Sequence, residues 1–554
     1  MNDAGIIDLV PTALRRDWAR RGFYPDRSVF ALFRERALAT PDKPAVLTPE
    51  SSIRYGDLLG AARRLAAGWR ALGIVAGDVI AYQLPNGWHA CAIDLAAAAL
   101  GAVVAPFPPG RGRLDIEALL RRCGARAIVV APDQGGIDMG ALIESLRPTL
   151  PALRVLVMDD RARPGWHALG TLLTSEPLAD DALPDIDPDA PVRLLVSSGT
   201  ESEPKLVAYS HNALVGGRGR FLQRLHSDGA TFRGLYLVPL GSSFGSTATF
   251  GVLCWLGGSV ALLPAFEPSA AIAAIAALRP THVLGVPTML QRIAADPALA
   301  DADRTSLVAI VSGGAVVDPA TMRRCSDAFG CRFVSLYGSA DGVNCHNTLD
   351  DAPDVPFTSV GTPNPSVCEI RIVDDARHTV PAGEVGEIAA RGPMSPMQYV
   401  NAPDLDAKYR DADGWVYTGD LGYLDPLGRL VLAGRKKDII IRGGANISTV
   451  QIETLATGYP DVVSAACVPV PDPDLGQRVC LCLEMRNGAP RPALADLTDY
   501  LRERGLEVNK LPEYLRFVRQ LPLTPAGKID KKRLATDVAF LGRAAAAGQE
   551  ARSR

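Results

Sequence analysis

Short runs of β-branched and aliphatic residues alternate with helical patterns over most of the first 340 residues. Such alternation is typical of parallel strands, because parallel neighbours need a long crossover connection that is usually a helix. We therefore predict an α/β protein whose mostly parallel sheets are covered by helices on both faces. The predicted strands are Arg126 to Val130, Arg154 to Met158, Ser259 to Leu263, His282 to Val286, Leu307 to Val311 and Arg332 to Leu336, and the predicted helices include Ile116 to Arg122, Ala270 to Leu278 and Ala320 to Phe329.

The pattern changes near residue 365. Strand-rich pieces at 369–374, 385–392 and 421–434 predict a β subdomain that closes a large N-terminal domain, residues 1–434. Residues 439–540 have strands and helices of their own and predict a small, mobile α+β domain. Residues 541–554 predict a flexible tail. A chain of 554 residues is longer than one hydrophobic core usually supports, which agrees with two domains.

Charge and composition exclude several classes of protein. The formal net charge is -3, so no strongly basic face for nucleic acid is expected. The apolar segments 90–107 and 248–266 are interrupted by Asp94 and by Gly257 and Gly258, so they predict buried helix-and-strand units and no membrane span. The ten cysteines show no C-x-x-C spacing and no secretory signal opens the chain, so a reducing cytoplasm is the expected location.

The segment 192-VRLLVSSGTESEPKLVAYSHNAL-214 has the pattern of a phosphate-binding loop. A strand-like run is followed by a lysine and by a helix that opens near Ser210. Backbone N–H groups, hydroxyls and one ammonium suit several negative charges, and glycine lets the backbone approach them. The common G-x-x-x-x-G-K nucleotide loop does not occur here, so a polar surface turn stays open as the alternative. The candidate phosphate-binding residues are Ser197, Ser198, Gly199, Thr200 and Lys205.

Four further segments follow in order: 335-SLYGSADG-342, 417-YTGDLGYLDPLGRLVLAGRKKD-438, 443-GGANISTVQIE-453 and 522-PLTPAGKIDKKRL-534. Together with the loop, they resemble the core motifs of the adenylate-forming superfamily, which contains acyl-CoA synthetases, aryl-acid AMP ligases and non-ribosomal peptide adenylation domains. The resemblance implies a ligase that uses ATP and Mg²⁺ to form an acyl-AMP, releases pyrophosphate, and then forms a thioester. CoA and the phosphopantetheine of a carrier protein both stay open as the thiol acceptor.

The resemblance also assigns roles to single residues. Asp420 matches the acid that accepts both ribose hydroxyls, Arg435 matches a guanidinium that contacts ribose or phosphate, and Tyr337 matches the ring that stacks on adenine. A turn aspartate and a packed core tyrosine are the alternatives. Gly313, Gly314 and Ala315 match a small-residue turn against the purine, and Gly338 belongs to the same implied ATP site.

Residues of the C-terminal part match the family's moving elements. Lys528 matches the catalytic lysine, and its compact ammonium suits the bridge between a substrate carboxylate and the α-phosphate as negative charge develops. Lys437, in the predicted hinge 435–438, matches the pivot about which the small domain rotates after adenylation. Gly443 and Gly444 match a tunnel in which a pantetheine arm passes close to the backbone.

Three departures from the family pattern concern ATP and the acid. In the usual Tyr-Gly-x-Thr-Glu motif, Ala340 and Asp341 replace threonine and glutamate, so the implied magnesium ligand Asp341 is one methylene shorter. Glu201 and Ser202 stand where threonine and glycine are usual, and Glu201 adds negative charge near the phosphates. In the acid-pocket segment, Ser242 replaces a histidine.

The acid pocket is expected to involve Ser242, Phe244 and Gly245. Small residues there leave room for a ring or a branched acyl group, and no aspartate is present to bind an α-amino group. We therefore expect an aromatic, alicyclic or short acyl acid and disfavour an amino acid. The expected partners are this small-molecule acid and CoA or an acyl carrier protein, and a homodimer stays open. A binding protein of the same fold without turnover is the alternative outside enzymes, motivated by Ala340 and Asp341.

Overall fold

The computed structural model describes residues 5–159, 163–197, 204–226, 231–315, 317–442, 445–524, 528–539 and 541. Five of the predicted site residues and the tail beyond residue 541 lie outside this range: Ser198, Gly199 and Thr200 of the phosphate loop, Gly443 and Gly444 of the implied tunnel, and residues 542–554. The described chain forms two large, mostly parallel sheets, a four-stranded antiparallel sheet and a C-terminal five-stranded sheet. The predicted fold class, a large α/β N-terminal domain followed by a smaller C-terminal domain, is confirmed.

The first large sheet carries the strands that flank the phosphate-loop segment. Its inner strands are parallel, and the pairs β10–β11 and β11–β20 at one edge are antiparallel. In spatial order the sheet contains β20 (Gln398–Tyr399), β11 (Lys205–Ser210), β10 (Pro191–Ser197), β4 (Val103–Pro106), β3 (Val79–Gln83), β5 (Ala127–Val130), β8 (Val155–Met158) and β9 (His167–Ala168).

The second large sheet is parallel except at its two edge pairs, β1–β2 and β16–β17. In spatial order it contains β2 (Ser52–Arg54), β1 (Pro44–Leu47), β13 (Ser259–Leu262), β12 (Arg233–Tyr236), β14 (His282–Gly285), β15 (Ala309–Gly313), β16 (Arg332–Gly338) and β17 (Asn344–His346). Because parallel strands end at the same edge, the loops after β15 and β16 lie side by side.

Helices cover the sheets, and one hydrophobic core joins residues of both large sheets through the buried helix α4. The helices of the N-terminal part are α1 (Thr12–Arg20), α2 (Val29–Ala39), α3 (Tyr55–Ala71), α4 (Trp88–Leu100), α5 (Arg113–Cys123), α6 (Met139–Leu146), α7 (Leu169–Leu172), α8 (Arg218–Gln223), α9 (Pro268–Leu278), α10 (Pro287–Ala294), α11 (Ala298–Asp301), α12 (Pro319–Phe329) and α13 (Pro403–Tyr409), with π-helical segments at Ala213–Gly217 and Ala248–Leu256.

Two smaller sheets complete the chain, together with a short hairpin of β6 (Asp133–Gln134) and β7 (Ile137–Asp138). The four-stranded antiparallel sheet contains β18 (Glu369–Val373), β19 (Gly386–Arg391), β21 (Val416–Leu424) and β22 (Leu430–Arg435). The C-terminal sheet contains β24 (Ala445–Ser448), β23 (Ile439–Arg442), β26 (Gly476–Met485), β25 (Val462–Asp472) and β27 (Tyr514–Val518), and it packs with α14 (Thr449–Thr457), α15 (Leu494–Glu503) and α16 (Lys531–Val538).

The predicted strands of the parallel sheets are all present, with bounds that differ by at most two residues. The phosphate-loop segment is different. Lys205 begins strand β11, which is antiparallel to β10, and the helix opens only at His211. The predicted order of strand, loop, lysine and helix was wrong in omitting this strand. Its apolar residues are buried between β10 and β20, so sheet pairing on both sides fixes them as a strand.

Both apolar segments are helix-and-strand units, as predicted. Helix α4 is followed by β4, and the π-helical segment Ala248–Leu256 is followed by β13. Within the described ranges, no helix combines the length and the hydropathy that crossing a bilayer requires.

A buried ion pair ties the first sheet to the acid-pocket segment. Arg193 on β10 donates from Nη1 to Asp94 Oδ2 at 2.7 Å and from Nη2 to the Leu240 carbonyl at 2.8 Å. Both charged side chains are fully enclosed, and Tyr82 donates to the other oxygen of Asp94 at 3.0 Å. Asn86 adds hydrogen bonds to the backbone of Val238 and Leu240. The segment that begins the acid pocket is therefore held by a charged group in the core.

Replacing Arg193 with methionine should destabilise the protein by about 3–5 kcal/mol near neutral pH, because it leaves a buried carboxylate without its partner. Burial then raises the pKa of Asp94 with no guanidinium to oppose it. The folded state holds a proton that the unfolded state releases, so the loss should grow as pH rises above the ordinary aspartate pKa of about 3.9 and shrink below it. Denaturant unfolding at several pH values measures this.

The matched control is Arg34→Met, which removes the exposed Arg34–Asp180 ion pair and should cost less than about 1 kcal/mol. The double replacement Asp94→Leu with Arg193→Met should recover part of the stability lost by Arg193→Met alone. Equal effects of the buried and exposed single replacements would contradict the interpretation.

Candidate active site

A cavity of about 180 Å³ lies where the ends of β15 and β16 meet the four-stranded sheet and the C-terminal part of the chain. The residues that line it come from segments far apart in the chain, from Pro108 to Lys528, so the cavity exists only in the folded chain. Those that the sequence analysis singled out are Lys205, Ser242, Phe244, Gly313, Gly314, Gly338, Asp341, Asp420, Arg435 and Lys528.

Asp420 lies at the centre of a hydrogen-bonded group on this wall. Its side chain is almost fully buried, Oδ1 is 2.7 Å from Arg435 Nε, and Oδ2 accepts the Tyr337 hydroxyl at 2.8 Å. Asp420 and Arg435 are cross-strand partners of β21 and β22, which places their side chains on one face. Burial raises the pKa of Asp420, and the positive charge of Arg435 opposes this. Each carboxylate oxygen retains a lone pair for a further hydroxyl donor.

Lys528 reaches this wall from the C-terminal part of the chain. Its backbone is held by a turn in which Thr524 accepts the Lys528 amide at 3.2 Å. Its Cε would lie 3.4 Å from a Cβ built on Gly314, whose φ of 93° lies in the left-handed region that glycine favours. Burial lowers the pKa of Lys528 to about 8, the Arg435 charge acts in the same direction, and Asp420 opposes it. The ammonium is thus charged at neutral pH.

Asp341 occupies the wall beside the end of β16. Its Oδ1 accepts the Tyr399 hydroxyl at 2.7 Å, and its Oδ2 accepts the Ser339 hydroxyl at 3.2 Å. The backbone of Asp341 also donates to Ser339 Oγ at 3.0 Å. In the part of the chain that the structure describes, no three His, Cys, Asp or Glu side chains come together. A carboxylate oxygen suits magnesium, and a metal held by Asp341 would take its other ligands from phosphate and water.

The acid-pocket segment forms a tight turn after β12. Ser242 Oγ donates to the Pro239 carbonyl at 2.7 Å and accepts the Gly245 amide at 2.9 Å. A Cβ on Gly245 would collide with the Pro239 carbonyl oxygen, so the small size of this glycine serves the turn. Gly245 itself does not enlarge the cavity, whereas Ser242 and Phe244 line it.

Lys205 lies in the cavity wall at the start of β11. Its side chain is buried, and its ammonium is 4.0 Å from the ring centroid of Tyr409 and 5.4 Å from that of Tyr399. Aromatic faces stabilise a cation, and this lysine lines the cavity.

Comparison with known proteins identifies the family. A model of AMP-binding enzymes matches residues 33–400, and the model of their C-terminal domain matches residues 451–528. The chain belongs to the AMP-binding enzymes. It is similar to the 2-hydroxy-7-methoxy-5-methyl-1-naphthoate–CoA ligase of Streptomyces carzinostaticus, with 33% identity over 537 residues that cover 95% of each chain.

Two further similarities cover nearly the whole of this AMP-binding enzyme. The salicyl-AMP ligase / salicyl-S-ArCP synthetase of Mycobacterium tuberculosis is 31% identical over 96% of this chain and 95% of that protein. The solved structure of the amide bond synthetase McbA from Marinactinospora thermotolerans has a TM-score of 0.80 and 29% identity, and covers 92% of this chain and 99% of that one. The predicted resemblance to adenylate-forming enzymes is therefore confirmed.

In this AMP-binding enzyme, most of the predicted site residues that the structure describes line one cavity, but Tyr337, Ala315 and Gly245 do not. Tyr337 is buried behind the wall formed by Leu336 and Gly338, with its hydroxyl on Asp420. Ala315 lines a neighbouring cavity between the N-terminal part and α14. The backbone of Lys437 lies in a short 3₁₀ helix, Lys436–Asp438, and its side chain is outside the described part, as is that of Ser197.

Tyr399 and Arg218 are among the cavity residues that sequence reasoning missed. Tyr399 comes from a two-residue edge strand, β20, and only its pairing with β11 carries it to Asp341. Arg218 lies in the helix after β11 and is 7% exposed. An arginine directly after the apolar run Ala213–Gly217 was the available signal for Arg218, whereas no local signal marks Tyr399.

The low pKa of Lys528 can be measured without assuming a reaction. Acylation of lysines by an excess of acetic anhydride, followed peptide by peptide with mass spectrometry, should show Lys528 reacting with a midpoint near pH 8. The exposed Lys532 is followed in the same digest as a control for delivery of the reagent. Arg435→Gln should raise the Lys528 midpoint because it removes a like charge. A Lys528 midpoint near the ordinary lysine value of about 10.4 would contradict the described environment.

Proposed function

We propose that the protein is an ATP-dependent carboxylic acid ligase that forms an acyl-AMP and then a thioester with CoA. One observation carries the proposal: the ammonium of Lys528 lines the same cavity as the Asp420–Arg435 pair and the acid-pocket residues Ser242 and Phe244. A carboxylic acid must be activated before a thiol can displace its oxygen, and a site that places a cation between an acid and a nucleotide suits that activation.

In the first step, a carboxylate oxygen attacks the α-phosphorus of ATP, and the bond from that phosphorus to the pyrophosphate oxygen breaks. Lys528 stabilises the negative charge shared by the carboxylate and the α-phosphate. Asp420 accepts hydrogen bonds from the ribose hydroxyls. The ammonium of Lys205 provides positive charge for the phosphates. Magnesium, when bound at Asp341, reduces the charge of the polyphosphate.

In the second step, the sulfur of the thiol attacks the acyl carbon, and the bond from that carbon to the AMP oxygen breaks. The small domain is proposed to rotate about Lys437 between the two steps. The contacts around this residue support the proposal. Lys436 pairs with Glu387 of the N-terminal part at 2.8 Å, while Asp438 lies 3.9 Å from Lys531 of the C-terminal part. These contacts favour Lys437 as the point at which the chain passes from the N-terminal part to the C-terminal part.

The acid is proposed to be aromatic, alicyclic or short acyl, since the relatives include ligases of naphthoate and salicyl groups and the wall includes Phe244. A carrier-protein phosphopantetheine is the second candidate acceptor, supported by the relative that forms a salicyl-S-ArCP thioester. ATP, Mg²⁺ and a panel of acids should give acid-dependent pyrophosphate release. Adding CoA, a phosphopantetheinylated carrier protein or an amine to separate reactions then identifies the acceptor, and a product with the amine alone would contradict the thioester proposal.

Lys528→Ala should lower the rate of acid-dependent pyrophosphate release by about 10²–10³-fold, which is about 2.7–4 kcal/mol, because it removes a donor aimed at the developing charge. ATP should still bind. Thioester formation from chemically made acyl-AMP should continue, and Lys532→Ala, an exposed neighbour, should leave both steps unchanged. Equal loss of the two half-reactions would contradict this role for Lys528.

Asp341→Ala should raise the Mg²⁺ concentration for half-maximal pyrophosphate release steeply, and Asp341→Glu should preserve adenylation. Tyr399→Phe should raise that concentration by about tenfold, because loss of a group that orients a metal ligand commonly weakens metal binding by that order. Tyr409→Phe is the matched control, since it keeps a ring over Lys205. An unchanged Mg²⁺ requirement in Asp341→Ala would place the metal elsewhere.

Lys437→Pro should keep acid-dependent pyrophosphate exchange and lose thioester formation. Proline fixes φ near -65°, so the variant should hold the orientation in which Lys528 lines the cavity. The control is Lys437→Ala, which should retain both steps. A proline at position 532 would be unsuitable because Lys532 lies in helix α16. Intact thioester formation in Lys437→Pro would mean that the pivot lies elsewhere.

A further inference from the structure

Arg218 is a buried cation in the wall of the cavity. It begins α8, directly after the π-helical segment Ala213–Gly217, and it lines the cavity one turn before Phe221. A Cβ on Gly217 would collide with the Met394 backbone, so this glycine lets the helix approach closely and fixes the position of Arg218. The side chain is 7% exposed, and what is exposed faces the cavity that it lines.

The partners of Arg218 are all uncharged. Nη2 donates to the Ser243 carbonyl at 2.7 Å and to Ser243 Oγ at 2.9 Å, and Nη1 donates to the Tyr209 hydroxyl at 3.3 Å. The guanidinium also lies 5.2 Å from the Tyr209 ring centroid. Across the described ranges of the chain, Nε has no hydrogen-bond partner and no carboxylate forms an ion pair with this guanidinium.

The two carboxylates that share the cavity wall have other partners. Asp420 pairs with Arg435, and Asp341 accepts hydrogen bonds from Tyr399 and Ser339. Several other residues that line the cavity with Arg218 are apolar, namely Phe221, Val238, Phe244, Val286 and Met394. A buried charge in such surroundings is costly unless an opposite charge joins it. Arg218 therefore forms a preorganised site for an anion within the acid pocket.

We propose that Arg218 binds a second carboxylate of the acid substrate, so that the enzyme acts on dicarboxylic acids with an apolar spacer. The inference rests on the proposed function and names its substrate class. One carboxylate attacks the α-phosphorus and displaces pyrophosphate, while the other keeps its charge and pairs with the guanidinium. A carboxylate neutralises the buried charge and fits the planar guanidinium, whereas a hydroxyl would leave the charge uncompensated.

Matched acid pairs test the proposal on the full-length protein. Pyrophosphate release is compared for benzoate with the 1,2-, 1,3- and 1,4-benzenedicarboxylates, and for hexanoate with hexanedioate. In each series at least one dicarboxylate should exceed its monocarboxylate in kcat/KM by about tenfold or more, as expected for a hydrogen bond between charged groups. The hydroxybenzoates form a separate arm, and a preference for them over every dicarboxylate would overturn the proposal.

Three variants separate recognition from support of the fold. Arg218→Met should abolish the dicarboxylate preference and keep or raise turnover of the monocarboxylate. Arg218→Lys, which keeps a positive charge, should retain part of the preference. Arg220→Met is the matched control, because Arg220 donates to the Phe23 carbonyl and lies over Trp255 on another face, and it should leave the preference unchanged.

The results also distinguish the two proposals. Pyrophosphate release with monocarboxylates but no dicarboxylate preference would overturn the inference and leave the proposed function intact. Loss of turnover for both members of each pair in Arg218→Met, with no recovery in Arg218→Lys, would show that Arg218 only supports the Ser243 turn and would overturn the inference. No release with any acid, while ATP binds by calorimetry, would overturn the proposed function itself.

Discussion

The charge of Lys528 meets the Asp420–Arg435 pair only because the C-terminal sheet packs against the four-stranded sheet. Ser448, at the start of α14, donates to the Ala433 carbonyl at 2.8 Å, and Lys528 passes over Gly314. Burying an ammonium beside a guanidinium is unfavourable, and it lowers the pKa of Lys528 to about 8. A negatively charged ligand between these cations would remove that penalty. The packing of the two parts and the binding of a polyanion therefore favour each other.

Strand β11 contacts both the acid-pocket side and the Asp341 side of the cavity wall. It contributes Lys205 at its start and Tyr209 near its end, and Tyr209 donates to the Ala340 carbonyl at 2.8 Å while it accepts Arg218. The backbone that carries Asp341 and the helix that carries Arg218 thus share one buried tyrosine. A change in the acid pocket can reach the proposed metal ligand through this hydroxyl. The strand that the sequence analysis omitted is the element that aligns these groups.

Hydrogen bonds fix the orientation of the shorter carboxylate at position 341. The side chain of Asp341 is one methylene shorter than that of a glutamate, but hydrogen bonds from Tyr399 and Ser339 hold both of its carboxylate oxygens. A carboxylate whose orientation is fixed loses less freedom when it binds a metal ion. This arrangement favours an enzyme whose carboxylate at position 341 still binds the metal over a binding protein without turnover. The family match and the full-length similarity to ligases agree with that choice.

Local sequence was enough to predict the class of fold and most of one wall of the site. The alternation of apolar strands and helices determines a parallel sheet. The residues of the motif around Asp420 lie within one strand pair, and those around Lys528 lie within one turn. What only the tertiary structure decided were contacts between distant segments. These are Lys205 at the start of a strand, Tyr399 on Asp341, and Arg218 with only uncharged hydrogen-bond partners among the described residues. Side-chain periodicity records which face of an element is buried. It does not record which element lies opposite, because that depends on packing between segments far apart in the chain.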